Sequence, residues 1–80
     1  MDHQKRLRWK CRRGMLELDL ILEDILDNRF GAMSTEQQST FEELLETPDQ
    51  VLMDWFMDRD QPKEAKFLQF IDNWREHNDN

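Results

Sequence analysis

The sequence predicts an all-α fold, a compact antiparallel bundle of about five short helices. Three observations predict it. Only two Gly and two Pro interrupt 80 residues dominated by Leu, Glu, Asp, Met, Lys and Arg, a composition that favours helix. Apolar residues recur at helical spacing, and no segment alternates as a half-buried strand does. Short polar loops carrying helix-start residues separate the periodic segments, which makes consecutive helices antiparallel neighbours.

The first helix is expected over residues 4–12, with Leu7, Trp9 and Cys11 as its apolar members and Gly14 ending the run. From Met15 the pattern strengthens. Leu18, Ile21, Leu22, Ile25 and Leu26 follow the i, i+3, i+4, i+7, i+8 rule for one buried stripe. Asn28–Arg29–Phe30–Gly31 reads as a helix end, with Gly31 free to take a left-handed cap. Ser34 with Gln37 forms a capping box, opening a helix that buries Phe41, Leu44 and Leu45. Thr47, Pro48 and Gln50 repeat the start signal, with Thr47 as cap and Pro48 in the first helical position. That helix carries Val51, Leu52, Trp55 and Phe56. A polar turn over 58–63 contains Pro62. The last helix spans about 63–76 and buries Phe67, Leu68, Ile71 and Trp74. Residues 1–3 and 77–80 are expected to fray. All three Trp are expected to be partly buried, since Trp is seldom buried fully. The whole of 1–80 makes one domain.

A chain this short buries only about 60% of its unfolded surface. It can build one thin core and no deep catalytic cavity. Charge is distributed unevenly. Residues 1–13 carry six basic side chains against one acidic, a net +5, while residues 14–80 carry five basic and 17 acidic, a net −12. The acidic body repels a phosphate backbone, so nucleic acid is not an expected ligand. The basic end suits either an acidic partner or the chain's own acidic helices. The lone Cys11 cannot form an internal disulfide. No stretch approaches the ~18 apolar residues of a membrane span. The cytoplasm is the expected location, and a monomer the expected free state.

No catalytic constellation emerges. His3 and His77 lack companions at metal-ligand spacing. Cys11 has no His or Asn partner and reads as a small buried hydrophobe. Gly14 and Gly31 cannot make a dinucleotide loop, which needs three close glycines between strand and helix. The chain is therefore not expected to hold FAD by itself or to act as an enzyme. The run Arg12–Arg13–Gly14–Met15–Leu16–Glu17 stands out instead. Gly14 allows close backbone approach or positive φ. Glu17 falls in the first turn of the next helix, where the dipole favours an anion. Arg13 offers a planar fork to carboxylates or carbonyls. An interhelix turn with a cap glycine accounts for the same residues.

This run resembles the signature of the succinate dehydrogenase assembly factors, the flavinylation factors, whose hallmark Arg-Gly-x-x-Glu appears as Arg13, Gly14 and Glu17. A second-helix pattern like Leu20–Ile21–Leu22, a third helix like Phe41–Leu44–Leu45, and Asp49, Leu52 and Trp55 extend the resemblance over nearly the whole chain. The resemblance implies an assembly chaperone. It would bind the flavoprotein subunit of succinate dehydrogenase, and in bacteria also fumarate reductase, and promote covalent attachment of FAD to a histidine of that subunit. It implies that the motif face contacts the flavoprotein, with Gly14 allowing close approach and Arg13 and Glu17 hydrogen-bonded to the partner. Arg12, Asp19 and Met15 join them as candidate partner-binding residues.

Two other functions fit the residues. The same resemblance admits an antitoxin-like regulator that binds a small membrane toxin or a cytoskeletal protein. The basic first helix admits an RNA- or membrane-binding module, which would depend on Lys5, Arg6 and Arg8 and on salt. The flavinylation reading makes Gly14 and Glu17 matter more than those three.

Overall fold

The computed structural model describes residues 3–78. Its helices are α1 (His3–Lys10), α2 (Leu16–Asn28), α3 (Thr35–Leu44), α4 (Asp49–Phe56) and α5 (Ala65–Asn78), with a 3-10 turn at Phe30–Ala32. No strand occurs among the described residues. The all-α bundle follows from the sequence as expected. Of the residues 1–3 and 77–80 expected to fray, 1, 2, 79 and 80 lie outside the described residues, while His3, His77 and Asn78 are helical.

Helix α2 is the hub. Leu18, Leu22, Ile25 and Leu26 are buried, and α1, α4 and the 3-10 turn pack on it. Helix α1 runs back along it. Arg8 pairs with Asp27, the Cys11 thiol reaches the Leu22 carbonyl at 3.7 Å, and the Arg13 amide reaches Asp19. Partner numbers fall as α1 numbers rise, which is an antiparallel register. Leu7 and Cys11, four residues apart, are the inward face of α1.

Helices α3 and α5 close the other side. Phe30, Phe41 and Phe70 form a run of rings, with centroids 5.8 and 5.9 Å apart. Phe56 meets Trp74 edge-on at 4.9 Å. These offset and edge contacts are the favoured ones for aromatic pairs. The expected stripes are largely the core, and Phe70, absent from the expected α5 stripe, joins them at 8% exposure.

Six local expectations are corrected. Helix α1 stops at Lys10 rather than residue 12, because the Arg12 amide turns to the Trp9 carbonyl in a tighter i→i+3 bond. Trp9 is 73% exposed rather than partly buried. With Leu7 and Cys11 facing inward, a residue two positions on from Leu7 must face out, and only Trp55 and Trp74 are partly buried. Gly31 does not take a left-handed cap; the chain instead tightens into the 3-10 turn that carries Phe30 into the core. The Thr47 side chain does not cap α4, which starts one residue later, with Pro48 in the cap position. The Gln50 amide bonds forward to Asp54 rather than back. Helix α5 begins at Ala65, since Pro62 lies buried in the preceding turn. The Ser34–Gln37 capping box forms as expected, with both reciprocal bonds made.

Candidate partner-binding site

The turn between α1 and α2 gathers every residue singled out by the sequence. Gly14 sits at φ +85°, the left-handed region that glycine reaches without steric cost. The Asp19 carboxylate, one turn into α2, folds back over this bend. It accepts the Arg13 amide at 2.7 Å and the Gly14 amide at 3.3 Å. Two backbone donors that precede the helix are thereby satisfied by one side chain. Met15 stands in the cap position in extended conformation, without a side-chain bond of its own, and packs its side chain against the core.

The Arg13 side chain is turned into the molecule and is only 12% exposed. Nε donates to Asp49 Oδ1 at 2.8 Å. Nη1 donates to the Lys10 and Leu45 carbonyls at 2.7 and 2.8 Å, and Nη2 donates to the Thr47 carbonyl. Four of the five guanidinium N–H groups are thus used inside the chain. Arg13 clamps the α1–α2 turn to the α3–α4 loop, leaving one N–H for anything else. Asp49 and the Leu45 and Thr47 carbonyls therefore belong to the site, although nothing in the sequence pattern connects them to Arg13.

What the turn presents outward is different. Arg12, Gly14, Leu16 and Glu17 are exposed. The Arg12 guanidinium lies 5.9 Å from the Trp9 ring centroid, within cation–π reach. Glu17 makes no ion pair among the described residues. No atom lies within 4 Å of where a Gly14 side chain would begin, so a partner can approach the backbone there. Elsewhere part of the basic first helix is matched from within. Arg8 pairs with Asp27, Lys10 with Glu46 and His3 with Glu42.

The remaining chemistry is sparse. Among the described residues no group of three or more His, Cys, Asp or Glu is placed to hold a metal. Burial pushes the Cys11 thiol up to about 11, so it stays protonated at neutral pH. A cleft of about 360 Å³ lies between the end of α2 and α5. Its floor is apolar, with Ile25, Phe70 and Trp74, and Arg29 and His77 stand among its polar lining residues. No helix among the described residues is long and apolar enough to cross a membrane.

Residues 5–78 match the family described as "Flavinator of succinate dehydrogenase". The chain belongs to this family. It is 40% identical over 67 residues to the FAD assembly factor SdhE of Coxiella burnetii, covering 84% of this chain and 82% of that protein. It is 39% identical over 77 residues to the factor of the same name from Legionella pneumophila (strain Lens), covering 91% and 98%. The Pseudomonas aeruginosa factor is 40% identical, over 84% of this flavinator-family chain and 80% of its own length. No solved structure matches the chain. The family resemblance carried by Arg13, Gly14 and Glu17 is thus extended to the whole helical domain.

Proposed function

We propose that this chain promotes covalent attachment of FAD to the flavoprotein subunit of succinate dehydrogenase by docking on that subunit through the α1–α2 turn. The observation that carries the reading is the division of labour within the motif. Arg13 and Asp19 spend their hydrogen bonds holding the turn, which leaves Gly14, Glu17 and Arg12 preset and open to a partner. A preset surface loses little conformational entropy on binding. On this reading Glu17 and Arg12 make the polar contacts, Gly14 admits close approach, and Met15 supports the bend from beneath.

The factor works in the cytoplasm as a monomer until it meets its client, and its client range extends to fumarate reductase. It has no active site of its own. FAD is cargo of the client, bond formation is the client's chemistry, and this chain contributes the positioning of the client.

The test is covalent flavin on the flavoprotein subunit, read by in-gel fluorescence in cells lacking this gene. Complementation with wild type restores the signal. Glu17→Ala and Gly14→Arg, each checked for helicity by circular dichroism, fail to restore it. Covalent flavin that is unchanged by the deletion overturns the reading.

A further inference from the structure

The outward face of α2 carries a feature that neither the core nor the motif explains. Leu16 and Leu20 are 74% and 57% exposed. They stand one helical turn apart on one face. At roughly 100° per residue, Leu20 points almost directly away from the stripe formed by Leu18, Leu22, Ile25 and Leu26. These are large apolar side chains at solvated positions of a protein whose mean hydropathy is −0.96. Contiguous exposed apolar surface of this kind marks interaction sites.

The flanking charges point to the partner's chemistry. Glu17 and Asp24 border the leucines, are exposed, and make no ion pair among the described residues. Among the described residues Asp24 accepts only the Asn28 side-chain amide. Most carboxylates elsewhere are matched, including Asp27 by Arg8, Glu46 by Lys10, Glu43 by Lys66 and Asp54 by Arg59. The ridge is also continuous with the motif, since Leu16 lies between Met15 and Glu17. Its base is rigid, because Leu18, Leu22 and Ile25 beneath it are fully buried.

We infer that Leu16 and Leu20 form an apolar ridge that seats in an apolar recess of the flavoprotein client, bordered by lysine or arginine side chains that meet Glu17 and Asp24. This rests on the function proposed above and names the surface that supplies its affinity. The buried leucines supply most of the contact energy, and the carboxylates set orientation.

Calorimetric titration of the purified flavoprotein subunit tests it, beside the covalent-flavin assay in cells. Gln is a good helix former, so Leu16→Gln, Leu20→Gln and the pair keep helix α2. Each single substitution weakens binding about tenfold and the pair about a hundredfold, with the melting curve of the free factor unchanged. Leu16→Met with Leu20→Met keeps the apolar area and binds within about threefold of wild type. If the Gln pair binds within about twofold of wild type while wild type still restores covalent flavin, the ridge is overturned and the function stands. If wild type neither binds the subunit nor restores flavin, the function falls and the ridge with it. A wild-type dimer that the Gln pair converts to monomer, with client binding intact, assigns the ridge to a second copy and overturns the proposal. Should the pair lose helicity, each single substitution repeats the test at its own site.

Discussion

Arg13 Nε donates to Asp49 Oδ1 at 2.8 Å, joining the turn before α2 to the first residue of α4 across 36 positions of sequence. The carbonyls of Leu45 and Thr47 complete the cradle. An arginine in a motif associated with partner binding is here a clamp that gives the motif its shape. Loss of partner binding on mutating it would therefore reflect a displaced turn as much as a lost contact.

That clamp predicts a large stability effect. Arg13→Ala leaves two part-buried carbonyls and a carboxylate without their donor, and costs about 2–4 kcal/mol. Arg13→Lys recovers only part, because one ammonium cannot serve separate acceptors in the plane of a fork. Urea denaturation followed by circular dichroism reads both. A midpoint for Arg13→Ala equal to wild type would show that the cradle contributes nothing to folding.

Gly14 makes a contrasting prediction. Nothing within 4 Å obstructs a side chain there, so substitution is opposed by φ +85° alone. Gly14→Ala costs about 1–2 kcal/mol, and Gly14→Asn costs less, since Asn visits this region more readily. Equal melting temperatures for the Ala and Asn variants would rule out this backbone explanation.

The sequence made some of this legible for a physical reason. The capping box at Ser34 and Gln37, the α2 stripe, and the burial of Cys11 are local or periodic, so neighbouring residues specify them. The inward turn of Arg13 is different. Its acceptors lie 32 to 36 residues away and two of them are backbone carbonyls, which carry no side-chain signature. Phe30 was obscured by the more conventional reading of Gly31 as a cap. The bulk of Trp9 suggests core, whereas its offset from Leu7 and Cys11 points it outward.

Asp58 was equally hidden, being one charge in a polar turn. It sits at φ 62° just beyond α4. The Arg59 amide bonds to the Asp54 carbonyl at 2.8 Å and the Asp58 amide to the Trp55 carbonyl at 3.3 Å. This is the Schellman pattern, with Asp where Gly is usual. Asp58→Gly relieves the left-handed strain and gains up to about 1 kcal/mol. The exposed pairing of Asp58 with Arg75, at 3.7 Å, offsets little of that. Thermal melting should show a rise of a few degrees, and a fall would mean that the Arg75 contact outweighs the backbone strain.

Cys11 predicts how stability responds to alkali. Burial raises its thiol from 9.0 to about 11, and the nearby Glu23 carboxylate adds to the rise. The folded chain therefore holds this proton at pH values where the unfolded chain has released it. Fewer protons bound in the unfolded state mean that stability falls as pH rises. The contribution is fully present below pH 9 and is lost progressively between about 9 and 11, amounting to something on the order of 1 kcal/mol. Cys11→Ala removes this step, so the difference in unfolding free energy between wild type and variant shrinks across that window. Iodoacetamide at pH 8 gives an independent readout. The native thiol, buried and protonated, reacts slowly, and the urea-unfolded thiol reacts fast. Equal rates in the two states would show that Cys11 is accessible in the folded molecule and would remove the basis for the alkaline transition.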